Sequence, residues 1–181
     1  MNAMPTARVE ITRGDRFHTF SGVSFGGVTC SQYWADFYLW EVLLNERPKA
    51  NAIVELGTWE GGFSLYLAAQ ADVRGLFFRT YDVIAPERRI PGFVQLDIFA
   101  EAEAIGQFLT RYEPLLLLCD GGNKPRELQT FSRSLSPESL IVTHDWGTEI
   151  FVDDVPDNVH PIFEDFCEEI GSCSRVFQVN D

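Results

Sequence analysis

The chain has 181 residues, of which 45% are hydrophobic and 13% are aromatic, and its formal net charge is −13 at pH 7. This length fits one domain, and this composition excludes a disordered chain. The acidic balance excludes nonspecific binding of nucleic acid through a basic face. Because no run of about 20 apolar residues occurs, neither a membrane span nor a membrane partner is expected.

The N-terminal sequence and the cysteines indicate the compartment. Residues 1–8 lack the apolar core of a signal peptide. The four cysteines form no Cys-x-x-Cys pair and have no paired histidine spacing of the kind that binds zinc. We therefore expect a cytoplasmic protein with a single domain, in which residues 1–48 form an N-terminal hairpin and helix cap and residues 49–181 form a Rossmann-like core.

Two elements are predicted ahead of that core. Arg8–Phe20 alternates loosely between apolar and polar residues, which predicts a β-hairpin that turns near Gly14. Gln32–Asn45 is rich in aromatic residues and leucine, and it predicts an amphipathic helix that ends before Pro48. We interpret the aromatic side chains of this helix as packing residues.

The core begins with the most informative stretch of the chain, residues 53–64, which read Ile-Val-Glu-Leu-Gly-Thr-Trp-Glu-Gly-Gly-Phe-Ser. A predicted strand, Ala52–Leu56, runs through a glycine turn into a predicted helix, Phe63–Ala71. Proteins with α/β folds build nucleotide pockets in this way, and the glycines would let the backbone turn tightly and approach a ligand. The spacing differs from the Gly-x-Gly-x-x-Gly of dinucleotide sites, and Glu55 before the first glycine suits a ligand that carries a cation.

Strands and helices alternate along the rest of the chain. The other predicted strands are short and apolar, as in a parallel sheet covered on both faces, and cover Leu76–Val83, Phe93–Leu96, Leu115–Cys119 and Leu140–Thr143. Helices are predicted at Ile98–Tyr112, Pro125–Ser134 and Val159–Ile170, and a final strand at Ser174–Val179. This alternation predicts an α/β domain with a doubly wound, mostly parallel sheet.

An acidic residue ends nearly every predicted core strand. The acids are Glu55, Asp82, Asp97, Asp120 and Asp145. In an open parallel sheet, ligands bind beyond the carboxyl ends of the strands. Surface acids have no reason to prefer the same end of five successive strands, so we expect these carboxylates to share one ligand site.

The second and third of these acids fit a nucleoside. Asp82 can accept hydrogen bonds from the vicinal ribose hydroxyls that occur in both NAD and S-adenosylmethionine. Asp97, or the backbone at Ile98, would lie near the adenine edge. Asp97 fits an N-cap of the following helix equally well.

The fourth and fifth strand ends carry the chemistry. The fourth strand leads into Asp120 and a loop that ends at Lys124, and the fifth leads into His144 and Asp145. Neighbouring strand ends lie about 5 Å apart, so Asp120, His144 and Asp145 form a candidate metal site. Carboxylates suit Mg²⁺, whereas the imidazole of His144 suits Mn²⁺, Fe²⁺ or Zn²⁺ better.

With these motifs the chain resembles the metal-dependent O-methyltransferases of the class I S-adenosylmethionine-dependent fold, in particular the cephalosporin hydroxylase/macrocin O-methyltransferase-like group. The similarity covers roughly Gln32 to Trp146. It rests on Ile-Val-Glu-Leu-Gly-Thr-Trp-Glu-Gly-Gly at 53–62, on Asp82, on Cys-Asp-Gly-Gly-Asn-Lys at 119–124, and on Thr-His-Asp-Trp at 143–146.

Together, the motifs and the resemblance imply the cofactor S-adenosylmethionine and a divalent cation such as Mg²⁺. The residues predicted to bind the cofactor are Glu55, Gly57, Thr58, Gly61, Asp82, Asp97, Ile98 and Asp120. The predicted metal ligands are Asp120, His144 and Asp145. The candidate catalytic residues are His144 and Lys124, the latter by likeness to methyltransferases that use a lysine near the metal as a base, with surface solvation as its alternative role.

Two features depart from the pattern of this group. His144 stands where the first acidic residue of the fifth-strand pair is expected. Only Ser174–Val179 follows the last predicted helix, whereas class I methyltransferases usually end in an antiparallel strand pair. We therefore expect an incomplete C-terminal strand pair, with either a small open pocket or a homo-oligomer in which another subunit completes it.

These features predict methyl transfer from S-adenosylmethionine to a hydroxyl of a small molecule. A metal would bind the acceptor oxygen and lower its pKa, and His144 would be a ligand or take the proton. A second hypothesis is a catalytically silent nucleoside-binding or assembly module, suggested by His144 and the short C-terminus. A third is a nicotinamide-dependent oxidoreductase, which Asp82 permits but which the missing third glycine and Glu55 oppose.

Overall fold

The computed structural model describes residues 23–46 and 49–181. The hairpin predicted at Arg8–Phe20 lies outside the described residues, as does Pro48. The first described elements are the short antiparallel strands β1 (Ser24–Phe25) and β2 (Val28–Thr29), followed by helix α1 (Trp34–Glu46). The helix predicted from the aromatic pattern is confirmed, and most of its large apolar side chains are buried in the core.

The rest of the chain forms one sheet with helices on both faces. Its elements are β3 (Ala52–Leu56), α2 (Gly62–Arg74), β4 (Phe77–Asp82), β5 (Phe93–Gln95), α3 (Ala102–Arg111), β6 (Leu115–Cys119), α4 (Lys124–Phe131), β7 (Leu140–Thr143), β8 (Val159–Ile162), α5 (Glu164–Ile170) and β9 (Arg175–Val179). The sheet order is β5-β4-β3-β6-β7-β9-β8, and β9 runs opposite to the other six strands. The predicted doubly wound, mostly parallel sheet is confirmed.

The strand order places a crevice between β3 and β6. From β3 the chain continues outward to β4 and β5 on one side, and from β6 to β7 on the other. Open α/β sheets bind ligands at such a switch point, beyond the carboxyl ends of the strands. The fold therefore brings the ends of β3, β4, β6 and β7 to one edge, where the predicted acids lie.

The apolar runs of the central strands are explained by helices on both faces. In β3, Ile53 packs into the cluster formed with α1 and α2, whereas Val54 and Leu56 pack into the cluster formed with α3 and α4. All five residues of β3 and of β6 are buried, so neither strand has a polar face in solvent. Within the described ranges, no helix is both long and apolar enough to span a bilayer.

The C-terminal strand pair is complete, which corrects the expectation of an incomplete pair. The helix predicted at Val159–Ile170 was wrong over its first five residues, because Val159–Ile162 form β8 and the helix begins only at Glu164. Pro161 does not decide between the two structures. A proline is tolerated in the first turn of a helix, where its missing N–H would have no partner, and it is equally tolerated in β8, the outermost strand of the sheet.

Candidate active site

A cavity of about 290 Å³ opens at the crevice between β3 and β6. Six of the eight residues predicted to bind the cofactor line this cavity: Glu55, Gly57, Thr58, Gly61, Asp82 and Asp120. Lys124 and Asp145 line it as well, whereas the predicted ligand His144 is buried directly behind Asp120 and Asp145 and does not line it. The carboxylates at the ends of β3, β4, β6 and β7 therefore share a single rim.

Glu55 is a buried acid at the floor of this cavity, with 1% of its surface exposed. The Ser64 hydroxyl, in the first turn of α2, donates a hydrogen bond to its carboxylate. Burial raises the pKa of Glu55 to about 8, although hydrogen bonds from Ser64 and Thr80 oppose the rise. The raised pKa favours the neutral form of Glu55, and a cation bound beside it would favour its ionised form.

The glycine turn after β3 is required by its packing against neighbouring backbone. Gly57 has φ +100°, and a Cβ at this position would lie 2.3 Å from the carbonyl oxygen of Asp120. A Cβ at Gly61, with φ +89°, would lie 2.4 Å from the side chain of Ile90. Gly57 therefore lets the loop pack closely against the backbone after β6, and Gly61 lets it pack against the Ile90 side chain. This reason is distinct from the close approach to a ligand inferred from the sequence.

Asp82 connects the end of β4 to the glycine turn. Its Oδ2 accepts hydrogen bonds from the backbone N–H groups of Thr58 and Trp59, both at 2.9 Å, and its Oδ1 accepts one from Ile84 at 3.0 Å. A carboxylate has about four lone-pair positions, so three of them are used within the protein. Asp82 both fixes the loop and lines the cavity.

Asp97 and Ile98 do not line the cavity. The Asp97 carboxylate is exposed and accepts hydrogen bonds from the backbone N–H groups of Phe99 and Ala100, at 2.8 and 3.2 Å. The Ile98 side chain is buried in the apolar cluster on the α3 and α4 side of the sheet. These hydrogen bonds stabilise a turn ahead of α3, whose N-cap is Glu101, so Asp97 takes neither of the two roles that the sequence left open for it.

Asp120 is held from the N-terminal side of the chain. The Gln32 side-chain amide, in the segment before α1, donates a hydrogen bond to Asp120 Oδ2. Gln32 is 6% exposed, and its Oε1 is buried without a hydrogen-bond partner. Gln32 also lines the cavity, so this unpaired oxygen lies close to the space where a ligand would bind.

Lys124 is the cation at the centre of the carboxylates. Its Nζ lies 3.0 Å from Asp145 Oδ2, 2.8 Å from Glu149 Oε2 and 3.7 Å from Asp120 Oδ1. Burial alone would lower the pKa of Lys124, but Asp120, Glu149 and Asp145 together raise it above its ordinary value. Lys124 therefore carries a positive charge at neutral pH and is not a solvated surface residue, since its side chain is 5% exposed.

His144 lies against the same carboxylates. Its Nδ1 is 3.1 Å from Asp120 Oδ1 and 3.3 Å from Asp145 Oδ2, and yet this buried atom forms no well-directed hydrogen bond. Burial alone would lower the pKa of His144, but the neighbouring carboxylates raise it well above its ordinary value. Burial would likewise raise the pKa of Asp145, but His144 and Lys124 hold it well below the usual range.

The donor set of Asp120, His144 and Asp145 fits a divalent cation. One ligand atom from each residue lies within 4.8 Å of the others, which is close enough for all three to contact one ion. His144 Nδ1, which has no hydrogen-bond partner, adds a nitrogen ligand atom to the two carboxylates. Such a set suits Mn²⁺, Fe²⁺ or Zn²⁺ better than Mg²⁺, which prefers oxygen ligands.

The opposite side of the His144 ring contacts residues that sequence reasoning missed. Nε2 lies 3.0 Å from Cys173 Sγ and 3.7 Å from Oδ2 of the fully buried Asp36. Asp36 belongs to α1 and Cys173 precedes β9, so only the tertiary fold brings them to His144. A single acid inside the aromatic run of α1 was the available signal for Asp36, and the sequence offered none for Cys173.

Backbone strain is concentrated at this site. Among the described residues, Trp59, Asp145 and Phe163 are the non-glycine residues with positive φ, and the first two line the cavity. Trp59 has φ 49° in the glycine turn, and Asp145 has φ 59° directly after His144. Left-handed conformations of such residues cost about 1–3 kcal/mol and recur at functional sites.

The strand order of the sheet identifies the fold. A seven-stranded sheet with one antiparallel strand, and acids at the carboxyl ends of its central strands, is the Rossmann-like fold of class I S-adenosylmethionine-dependent methyltransferases, as expected from the sequence. No protein-family model matches the chain, and no curated protein sequence matches it either.

Solved structures with the same fold support this assignment. CmcI with bound SAH is similar at a TM-score of 0.60 and 13% identity, over 86% of this chain and 81% of that one. CmcI without ligand is similar at a TM-score of 0.53 and 14% identity, over 68% of this chain and 57% of that one. MtNAS with S-adenosylmethionine is similar at a TM-score of 0.52 and 15% identity, over 82% of this chain and 64% of that one.

These likenesses concern the fold. The chain spans 57% of the ligand-free CmcI chain and 64% of the MtNAS chain, at identities of 14% and 15%. The reaction must therefore be inferred from this chain's own cavity and side chains.

Proposed function

We propose that this protein binds S-adenosylmethionine in the cavity between β3 and β6 and transfers its methyl group to a hydroxyl oxygen of a small molecule. The observation that carries the proposal is the convergence of Glu55, Asp82 and Asp120 on one cavity at the switch point of the sheet. Structures of CmcI and MtNAS, which share the fold, hold SAH or S-adenosylmethionine.

Two carboxylates suit the two ends of this ligand. Asp82 has one lone-pair position left after its three backbone hydrogen bonds, and that position can accept a ribose hydroxyl. Glu55 lies at the cavity floor, where its ionised form can stabilise the ammonium or sulfonium of the ligand. S-Adenosylmethionine would supply an electrophilic methyl group next to the acids of β6 and β7.

The acceptor is proposed to lie beside Asp120, His144 and Asp145. A divalent cation bound there would hold the acceptor oxygen and lower the pKa of its hydroxyl. CmcI, of the same fold, has also been solved with Mg and SAM. The carboxylates around Lys124 hold its pKa above the ordinary value, so its role in this proposal is to orient the site and to balance charge rather than to act as a base. His144 would serve as a ligand of the cation, and the proton of the acceptor hydroxyl would leave to solvent.

The apolar wall of the site suits a small molecule with a ring. Trp59 lines the cavity with 52% of its surface exposed. This exposed aromatic face gains free energy when an apolar surface covers it. An aromatic or sugar ring can stack on this face while its hydroxyl points to the carboxylates. The alternative of a catalytically silent module drew on a short C-terminus, and the complete β8–β9 pair removes that part of its support.

A transfer assay tests the function directly. The protein is incubated with methyl-labelled S-adenosylmethionine, Mn²⁺ and a panel of catechols, phenols and sugars, and transfer of label to the acceptors is measured. We expect transfer to at least one class of acceptor, and we expect Asp120→Asn to reduce it by a factor of ten or more, on the order expected for loss of a cation ligand. Tight binding of S-adenosylmethionine without transfer to any acceptor would favour the silent module instead.

A further inference from the structure

The side of His144 that faces away from the cavity is occupied by a built polar network. Asp36 is fully buried, and its Oδ1 accepts hydrogen bonds from the hydroxyls of Ser172 and Ser174, at 2.6 and 2.9 Å. Its Oδ2 accepts one from the backbone N–H of Tyr33 at 2.9 Å. Three directed hydrogen bonds thus fix a carboxylate behind the ring, where an unpaired charge would be costly.

Cys173 connects this carboxylate to His144. Its Sγ is placed to donate to Asp36 Oδ2, at 3.5 Å, and lies 3.0 Å from His144 Nε2. These distances fit a proton on Nε2. The Nε2–H group can then interact with the sulfur and with the negative charge of Asp36, 3.7 Å away. A ring with its proton on Nε2 presents the Nδ1 lone pair to the opposite side.

The opposite side of the ring faces Asp120 and Asp145, two carboxylates that line the cavity. Nδ1 is 3.1 Å from Asp120 Oδ1 and 3.3 Å from Asp145 Oδ2, it is buried, and it has no directed hydrogen bond. The charges around it also leave room for a cation. With His144 in this neutral form, the four carboxylates of Asp36, Asp120, Asp145 and Glu149 carry three more negative charges than the single positive charge of Lys124 neutralises.

We propose that Asp36 is a positioning residue of the cation site, which keeps the proton of His144 on Nε2, through Cys173 and by its own charge, and thereby makes Nδ1 the ligand atom. This role rests on the proposed function, because it assigns the cation of that same site. Histidine ligands commonly donate their second N–H to a carboxylate, and that partner fixes both the tautomer and the orientation of the ring. The expected occupant is a divalent transition cation, since the ligand atom is nitrogen.

The tautomer can be observed directly in the wild-type protein. The chain has three histidines, so ¹⁵N-histidine labelling gives few signals, and His144→Gln identifies the signals of His144 by their loss. Zn²⁺ is the probe, because it is diamagnetic and accepts nitrogen ligands. We expect a proton on Nε2 and a large shift of Nδ1 when Zn²⁺ is added. A shift of Nε2 instead, or no binding of Zn²⁺ by the wild-type protein, would overturn the assignment.

Two matched variants separate positioning from charge. Asp36→Asn and Glu149→Gln each remove one carboxylate charge from the same cluster, but only Asp36 contacts His144. By calorimetry, Asp36→Asn should weaken Zn²⁺ binding by roughly 10–100-fold, whereas the exposed Glu149→Gln should change it by less than about threefold. Equal effects of the two variants would contradict a positioning role.

The role of Asp36 can be tested even if one variant does not fold or if the protein does not transfer methyl groups. If Asp36→Asn does not fold, the ¹⁵N spectra of the wild-type protein alone decide the assignment. A purely structural Asp36 would lower the melting temperature on mutation without changing the tautomer or the Zn²⁺ affinity. Neither experiment contains S-adenosylmethionine or an acceptor, so failure of the proposed methyl transfer is recognised separately.

Discussion

The ammonium of Lys124 lies 3.0 Å from the carboxylate of Asp145, although one residue begins a helix after β6 and the other follows β7. This ion pair joins the two strand ends that carry the candidate cation ligands. It also places a permanent positive charge beside the position of the proposed cation. Lys124 therefore stabilises the carboxylate cluster in the ligand-free protein and competes with a cation that binds there.

Lys124→Met should accordingly change two quantities in opposite directions. The free energy of unfolding without metal should fall by about 1–3 kcal/mol, because buried carboxylates lose their partner. The affinity for Mn²⁺ should rise, because a like charge is removed. Urea denaturation and calorimetry measure the two effects. Arg126→Met removes the same charge from the same helix, where the guanidinium instead lies 4.0 Å from the Phe99 ring centroid, and it should not raise Mn²⁺ affinity.

Glu55 should make the stability of the protein depend on pH. Its pKa is raised from an ordinary value of 4.5 to about 8 in the folded protein, chiefly by burial. The folded state therefore binds more protons than the unfolded state between these values, so the contribution of Glu55 is fully present below pH 4.5 and is lost as pH rises to about 8. Each unit of such a shift corresponds to about 1.4 kcal/mol.

The comparison of wild type with Glu55→Gln isolates this contribution. All other titrating groups are common to both proteins, so their difference in the free energy of unfolding reports Glu55. Urea denaturation between pH 5 and pH 8.5 should show the wild type losing stability relative to the variant as pH rises. Parallel curves would mean that Glu55 is already ionised in the folded protein at pH 5.

The glycine turn gives a prediction about packing. Gly57→Ala should lower the free energy of unfolding by roughly 2–4 kcal/mol, because the new Cβ would contact Asp120 backbone and φ is +100°. Gly147→Ala is the control, since Gly147 has φ +80° but nothing within 4 Å of its Cβ position. Gly147→Ala should show only the smaller cost of the left-handed backbone. Equal losses of stability in the two variants would contradict a packing role for Gly57.

The identity of the cation depends on the nitrogen donor of His144. The wild-type protein should bind Mn²⁺ and Zn²⁺ more tightly than Mg²⁺. Replacing the nitrogen by oxygen, with His144→Glu and Asp36→Asn combined so that no two buried carboxylates face each other, should reduce the ratio of Mn²⁺ to Mg²⁺ affinity. Calorimetric titration with each metal gives this ratio, and an unchanged ratio would show that His144 is not a ligand.

The sequence predicted those site residues that directly follow an apolar strand. Glu55, Asp82 and Asp120 each end an apolar strand, and parallel strands bring their carboxyl ends to one edge without further information. The same rule placed Asp97 at that edge, but the β5 end lies beyond the cavity, and its carboxylate accepts hydrogen bonds from its own turn. Asp97 differs from the other three acids in its distance from the β3–β6 crevice, because β5 is the edge strand. No local sequence pattern gives the position of a strand within the sheet.

The remaining site residues depend on contacts between distant segments. Cys173 Sγ and Asp36 Oδ2 are 3.5 Å apart, although 137 positions separate the two residues along the chain. The polar segment before β9 and an acid on an aromatic helix have no common sequence signal. The β8 strand was missed for a local reason, since Pro161 is compatible with an edge strand and with the first turn of a helix alike.

Binding of S-adenosylmethionine, measured by calorimetry without metal or acceptor, tests whether the cavity between β3 and β6 is a cofactor site. Wild-type protein should bind one equivalent, and Asp82→Asn should weaken binding by roughly tenfold or more, as expected for a hydrogen bond to a charged group. Asp97→Asn makes the same change at a carboxylate outside the cavity and should leave the affinity close to that of wild type. Absence of binding to the wild-type protein at millimolar ligand, or equal loss in both variants, would contradict the account.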